Sequence, residues 1–260
     1  MSFIKIGIFG PGGRMGQDVV KQLKFFKALK ISYLCEKKGH KMVGKKISEF
    51  LIEDDLEKLV KNSDVIIDFT IPSATLKLLQ KIHLLKKKVA LVTGTTGYSR
   101  TEEKKFNSLV KGKTILRSFN MSIGVNLLKN IVEITTRNIG FNSDVEIVET
   151  HHNKKRDIPS GTSLSLAESV TLGNKDISKL VYRERNTDKA RGKNEIGFAS
   201  IRGGDVVGEH SVYFFLDGER LELKHIASDR KIFSIGAIEA AKWVFKRKPG
   251  LYTIMDMVKK

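Results

Sequence analysis

The stretch GIFGPGGRMG at 7–16 constrains this chain more than any other. It follows a β-branched apolar run, IKIGIF (4–9), and opens a helix-like segment from Arg14 to about Leu29, with Gly10, Gly13 and Gly16 at the turn. Glycines at such a turn let the backbone come close to a pyrophosphate, whose charge is met by the first amides of the following helix. A second apolar run, ISYLCE (31–36), ends at Glu36, at the distance where such units place the acid that binds an adenosine ribose hydroxyl. The stretch predicts a dinucleotide-binding unit. Glu36 favours an unphosphorylated ribose, while Lys37, Lys38 and Arg14 suit a 2′-phosphate, so either NADH or NADPH is expected.

The alternation continues downstream. VIIDFT (65–70) and VALVTG (89–94) are β-rich runs separated by a helical segment from Pro72 to Leu85, and TILRS (114–118) is a further strand. Ser99 with Glu102 forms a capping box that opens another helix between the last two. This order predicts a Rossmann-type, doubly wound parallel sheet with helices on both faces. Two turns, GTTG (94–97) and SFNM (118–121), fall at carboxyl ends of strands, where open α/β sheets bind ligands.

After about residue 122 the pattern changes. A helical run, VNLLKNIVEITT (125–136), precedes the strand VEIVET (145–150), a helix from about Thr162, and three β-like runs: IGFASI (196–201), EHSVYFFL (209–216) and ERLELKHIA (219–227). Asp217 and Gly218 join the last two as a two-residue hairpin signal. In the final run Arg220, Glu222 and Lys224 alternate with Leu221 and Leu223, which predicts one wet and one packed face. An α+β domain with an open mixed sheet is expected over 123–227. The apolar helix FSIGAIEAAKWVF (233–245) is expected to pack back onto the first domain, so that 228–260 complete the dinucleotide-binding domain of 1–122. The connection RERNTDKARGKNE (183–195) reads as too polar to pack and as a candidate mobile loop.

The net charge of +18 comes largely from lysines spread along the chain. Clusters such as KKGHKMVGKK (37–46), KKK (86–88) and KRK (246–248) lack the interleaved aromatics and motifs of nucleic-acid binders. They read as solvated surface that attracts anionic metabolites, and no nucleic-acid partner is expected. The single cysteine, Cys35, sits in an apolar run, which excludes an internal disulfide and points to packing rather than a catalytic thiol. No run approaches the roughly 18 apolar residues of a membrane span, and the start MSFIKIGIFG has neither a basic leader nor a small-residue cleavage site. A cytoplasmic protein without a membrane partner is expected.

Residues 149–162 read ETHHNKKRDIPSGT. Adjacent residues on a strand point to opposite faces, so His151 and His152 are poorly placed to chelate one metal ion, and the neighbouring cations repel it. An enzymatic reading uses every part. A histidine serves as general acid near neutral pH, a lysine stabilises negative charge developing on a substrate, and PSGT opens a helix whose first amides and hydroxyls can hold a carboxylate.

The sequence resembles the dihydrodipicolinate reductase (4-hydroxy-tetrahydrodipicolinate reductase) family of lysine and diaminopimelate synthesis. The likeness rests on GxxGRMG at 10–16, VIIDFTIPSAT at 65–75, GTTG at 94–97, NMSIGVN at 120–126, the ExHHxxKxDxPSGT pattern at 149–162 and IGFASIRGGDVVGEH at 196–210. It implies that His151 is the proton donor with Lys155 as its catalytic partner, and that His152, Lys155, Ser160, Gly161 and Thr162 bind the carboxylates of a cyclic dicarboxylate imine. It implies that Gly10, Gly13, Arg14, Met15, Glu36, Lys37, Gly94, Thr95, Thr96, Ser118, Phe119, Asn120 and Met121 line the cofactor. Hydride addition with protonation of the neighbouring carbon would give tetrahydrodipicolinate. A homotetramer built through the second domain's sheet is implied as well. The chain departs from the family pattern at Ala190, which precedes Arg191 where glycine is common, and in a short lysine-rich stretch between Cys35 and Asp64. The competing readings are another two-domain NAD(P)-dependent dehydrogenase, or a non-catalytic protein that binds nucleotide or nucleic acid.

Overall fold

A computed structural model describes residues 3–182 and 190–258, apart from the side chain of Phe141. The chain forms two compact units, one of Met1–Ile123 with Lys231–Lys260 and the other of Gly124–Arg230. In chain order the first contains β1 (Ile4–Phe9), α1 (Arg14–Leu23), β2 (Leu29–Cys35), β3 (Lys46–Ile47), β4 (Phe50–Glu53), α2 (Leu56–Asn62), β5 (Val65–Asp68), α3 (Pro72–Leu85), β6 (Ala90–Thr93), α4 (Arg100–Leu109) and β7 (Thr114–Arg117). The second begins within α5 (Ile123–Ile139) and continues through β8 (Asp144–His151), α6 (Gly161–Gly173), β9 (Lys179–Tyr182), β10 (Glu195–Arg202), β11 (Gly208–Phe215) and β12 (Arg220–Ala227). The chain then returns to the first unit with α7 (Lys231–Val244), β13 (Gly250–Tyr252) and α8 (Ile254–Val258).

The first sheet has the order β13-β7-β6-β5-β1-β2-β4-β3. Every pairing from β13 to β4 is parallel, and only β3 runs antiparallel. The central strands are buried on both faces, Ile66 and Leu91 against one helical layer and Ile67 and Val92 against the other. That explains why their sequences are continuous apolar runs rather than alternating ones. The chain steps from β1 to β2 on one side and to β5 on the other, so the carboxyl ends of β1 and β5 form the point where the winding reverses. Such points hold ligands in open α/β sheets. The apolar α7 supplies Ala237, Ile238, Ala241 and Val244 to this unit's core. The capping box forms as read, Ser99 Oγ accepting from Glu102 N while the Glu102 carboxylate accepts from Ser99 N.

One local reading needs correction. The first helix stops at Leu23, not near Leu29, because the chain turns there and seats Phe26 against the core before β2 starts at Leu29. The lysine-rich stretch 36–64, which carries no clear periodicity, contains β3, β4 and α2. Asp55 caps α2 by accepting from Glu57 N at 2.8 Å and Lys58 N at 3.0 Å.

The second sheet has the order β12-β11-β8-β10-β9, with β8, β9 and β10 parallel and β11 and β12 antiparallel. On β8 burial alternates strictly, with Val145, Ile147, Glu149 and His151 inward. Val132 of α5 and Leu166 and Val170 of α6 pack against that face together with Val212 and Phe214 of β11. The expected packed face of β12 is only partly realised: Leu223 packs against this core, whereas Leu221 remains 39% exposed. β12 is the edge strand of this sheet.

The polar connection 183–195 falls partly outside the described residues, at 183–189, and the expected mobility of that segment falls there too. Its described end contradicts the expectation that it is too polar to pack. Arg191 donates to Asp144 at 2.6 Å, to Glu146 at 3.2 Å and to the carbonyl of Glu195 at 2.6 Å. Its planar fork ties the starts of β8 and β10 together. Arg191→Ala is expected to lower unfolding stability by about 1–3 kcal/mol, read as a lower urea midpoint at unchanged slope; an unmoved midpoint would show that these bonds only decorate the surface.

Candidate active site

In the first unit, Gly10 leaves β1 with φ +84°, and a Cβ there would meet Thr70 Cγ2 at 2.8 Å. Only glycine suits that combination of left-handed backbone and close approach. Gly13 is the N-cap of α1, with no side-chain cap and no acid in the first turn, so the helix start presents backbone amides to an anion. Glu36 is 8% exposed and accepts from Gly12 N at 3.1 Å and Lys37 N at 3.0 Å. The carboxylate is thus fixed at the end of β2 beside the glycine turn.

A cavity of about 260 Å³ opens at this reversal point among Gly10, Gly13, Glu36, Lys37, His40 and Thr70. A second, of about 270 Å³, is lined by Met15, Gly94, Ser118, Phe119, Asn120 and Met121 with Phe233. Phe69 borders both. Arg14 and Thr96 are exposed and line neither. Thr95 is buried and turned inward, its Oγ1 bonded to Thr75 Oγ1 and Asp68. His40, Phe69 and Phe233 lie outside the sequence reading, since nothing local marks them. Asp68 does as well: it is fully buried and accepts from the hydroxyls of Thr70 and Thr75 at 2.6 Å and of Thr93 at 2.9 Å. Burial pushes its carboxyl above the ordinary range against the pull of these hydroxyls. The glycine turn, the uncapped helix start and the adjacent cavities fit a dinucleotide.

In the second unit, strand alternation puts Glu149 and His151 on one face, and register adds the neighbours. Ser200 pairs with Glu149 and Arg202 with His151 across β10, while His210 pairs with Glu149 across β11. Glu149 is 1% exposed. It accepts from Arg202 at 2.7 Å, Ser200 and Ser163 at 2.8 Å, and the backbone N–H of Ser160 at 3.1 Å. Burial alone would raise its pKa, but these bonds overcome it and hold the carboxyl down at about 2.

His151 Nδ1 faces that carboxylate at 3.6 Å and is buried without a hydrogen bond among the described residues. Gly208 makes room for the ring, since a Cβ there would meet His151 Nε2 at 3.1 Å. Burial pushes the His151 pKa down, Glu149 pulls it up, and Lys155 and Arg202 push it down further. Lys155 Nζ bonds Asp157 at 2.9 Å. His152 follows the strand, half-buried, its N–H bonded to the Val206 carbonyl at 2.8 Å. After the cis Ile158–Pro159 bond, Ser160 caps α6. Ser160 is 2% exposed, whereas Gly161 is exposed with nothing within 4 Å of a Cβ position. Lys154 and Arg156 are exposed.

The sequence reading missed Ser163, Ser200, Arg202 and His210, and gave Glu149 no role. The signals available were the two-residue spacing of Glu149 and His151 and the polar GEH at 208–210 inside an apolar strand. Ligand atoms of Glu149, His151 and His210 lie within 4.8 Å of one another, a spacing that could hold a metal ion. The Glu149 carboxylate, however, is already filled by four donors, one of them the Arg202 guanidinium, so a cation would displace those bonds and sit against fixed positive charge. Cys35 is fully buried, and burial pushes its thiol up to about 12, which leaves no reactive thiolate for acyl chemistry.

A doubly wound nucleotide-type sheet joined in one chain to a mixed sheet bearing a buried carboxylate–histidine cluster defines an oxidoreductase of the two-unit α/β class. More narrowly, the chain belongs to the dihydrodipicolinate reductase family: the model of that family's N-terminus matches residues 4–121 and that of its C-terminus residues 124–258. It is 42% identical over 263 residues to the 4-hydroxy-tetrahydrodipicolinate reductase of Buchnera aphidicola subsp. Baizongia pistaciae, covering 96% of each chain. It is 40% identical over 266 residues to that of Geobacter metallireducens, covering 98% of each. A dipicolinate-bound dihydrodipicolinate reductase from Paenisporosarcina sp. TG-14 shares the fold at a TM-score of 0.78 and 21% identity, over 96% of this chain and 97% of that one. Among the described residues no helix is long and apolar enough to cross a membrane.

The ionised Glu149 gives a pH prediction. Its folded pKa lies below its ordinary value, so its contribution is present above about pH 4.5 and is lost as pH falls toward about 2. Between pH 5 and pH 3 the stability advantage of the wild type over Glu149→Gln is expected to shrink by about 2 kcal/mol, measured by urea unfolding at each pH. A constant gap would show that Glu149 titrates as an ordinary carboxyl.

Proposed function

We propose that the chain reduces the conjugated imine of a cyclic dicarboxylate, 4-hydroxy-tetrahydrodipicolinate or dihydrodipicolinate, to tetrahydrodipicolinate in lysine and diaminopimelate synthesis. The observation that carries this reading is the cluster at the end of β8: a buried histidine beside a fixed carboxylate, a nearby lysine, and the start of α6. The bound reduced nicotinamide supplies the hydride. Gly10, Gly13, Met15, Glu36, Lys37, Gly94 and the 118–121 turn hold that cofactor, with Arg14 and Thr96 at the exposed rim and Thr95 fixing the turn after β6 from within. Glu36 and the exposed Lys37 side by side suit both NADH and NADPH.

In the second unit His151 delivers the proton to the carbon next to the reduced one, with Glu149 favouring the imidazolium from its Nδ1 side. Lys155 exchanges its Asp157 partner for the substrate and stabilises the negative charge that develops there. His152 and the start of α6, at Gly161 and Thr162, receive the carboxylates, since backbone amides at a helix start favour an anion, and Ser160 serves that site by fixing the first turn through Glu149. The open face of the second sheet carries Ile201, Phe215 and Ile226 exposed. A homotetramer assembled through that face in the cytoplasm would bury them.

The test is a coupled assay that supplies aspartate semialdehyde, pyruvate and the upstream synthase and follows cofactor oxidation. Turnover with comparable KM for NADH and NADPH is expected; no oxidation of either would overturn the reading. His151→Ala and Lys155→Ala should each lower turnover roughly 10²-fold or more, and near wild-type rates would mean the roles are misassigned. Because His151 acts as an acid with a lowered pKa, the rate should fall as pH rises, with a midpoint below the ordinary histidine value, and that limb should vanish in His151→Ala.

A further inference from the structure

His210 has no part in the chemistry above, yet it is 4% exposed and stands edge-on to His151, ring centroids 5.0 Å apart at 76°. Its Nε2 lies 3.1 Å from Ser160 Oγ, and its Nδ1 is buried without a hydrogen-bond partner among the described residues. A buried bare lone pair costs less than a buried bare N–H. The proton therefore sits on Nε2, and His210 donates to Ser160.

That assignment fixes the direction of every bond behind it. Ser160 Oγ accepts from His210 and from Ser163 N at 3.2 Å, then donates to Ser163 Oγ at 3.1 Å, which donates to Glu149 at 2.8 Å. Ser160 thus uses its proton and both lone pairs inside the network, and its backbone N–H on Glu149. Its side chain holds the first turn of α6 rather than facing outward, and Gly161 is left as the open backbone of the PSGT turn. A second proton on His210 would be a charge without an acceptor; burial and His151 push its pKa down to about 4 against the pull of Glu149, with His225 and Lys155 adding to the push.

We propose that His210 is a positioning residue for the reaction: by donating to Ser160 Oγ and packing edge-on against His151, it holds the carboxylate-receiving helix start and the proton-delivering ring in one fixed arrangement. This rests on the reading of the second unit as a dicarboxylate site. His210→Gln places an amide donor near the Nε2 position, His210→Asn places it near Nδ1, out of reach of Ser160, and His210→Phe keeps only the ring.

The readouts are calorimetric affinity for dipicolinate, KM for each substrate, and thermal stability. The Asn and Phe variants are expected to bind dipicolinate about tenfold or more weakly, the loss of one buried hydrogen bond, and to show a raised KM for the dicarboxylate with that for NADH unchanged. Gln should restore both to within about threefold. Affinity and KM within about twofold of wild type in the Asn variant, whatever the change in thermal stability, overturn the proposal. Equal impairment of Gln and Asn overturns it as well, and the polar pair suffices if Phe does not fold. A wild type that binds no dipicolinate removes both this proposal and the reading beneath it. A wild type that binds it without oxidising either cofactor removes only the reaction, and the affinity comparison still decides the positioning role.

Discussion

The ion pair between Glu149 and Arg202 is the contact on which the second unit's site depends. Sealing a carboxylate between strands and a helix start is costly unless its lone pairs are filled and its charge is met. Here strand β10 and the start of α6 supply the donors, and the guanidinium supplies the charge. That contact keeps Glu149 ionised, and the carboxylate so held binds the Ser160 N–H where α6 begins and sets a negative charge beside His151 Nδ1. Removing either partner alone would leave a buried charge unmatched, which is worse than having neither.

The first unit has a comparable device with the opposite outcome. Asp68 also lies buried at a strand end and is also surrounded by hydroxyls, those of Thr70, Thr75, Thr93 and Thr95. Among the described residues no cation bonds it, and burial wins, so its pKa rises where that of Glu149 falls. Desolvation outweighs the neutral donors around Asp68, whereas around Glu149 the bonds from Ser160, Arg202, Ser163 and Ser200 together outweigh it. The two carboxylates therefore do different work. Asp68 ties together the turns that follow β5 and β6, beside the cofactor cavities, while Glu149 provides a standing charge next to a proton donor.

What the sequence made legible was local. The glycine turn, the Ser99 capping box and the continuous apolar strands state the first unit's architecture in short words, and period-two burial on β8 separates His151 from His152. What it concealed is set by register. Ser200, Arg202 and His210 reach Glu149 only because β10 and β11 flank β8 with one particular alignment, and a single-residue slip would turn all three away. Arg191 shows the same limit: in a run of polar residues it reads as solvated, and only the alignment of β8 with β10 gives it acceptors. Ser160 reads as a substrate contact from its place in PSGT, yet the donors and acceptors around it turn its hydroxyl into the network.

Arg202 and three serines hold Glu149 as an ionised, hydrogen-bonded carboxylate well below the pH at which an ordinary glutamate protonates. Following the side-chain carboxyl carbon of Glu149 by NMR through an acid titration tests it most directly. The resonance should stay at its ionised position as pH falls through 4 and titrate with a midpoint near 2. A midpoint at the ordinary glutamate value of about 4.3 would contradict the account, because a carboxyl that protonates so readily is not held by Arg202 and three serines.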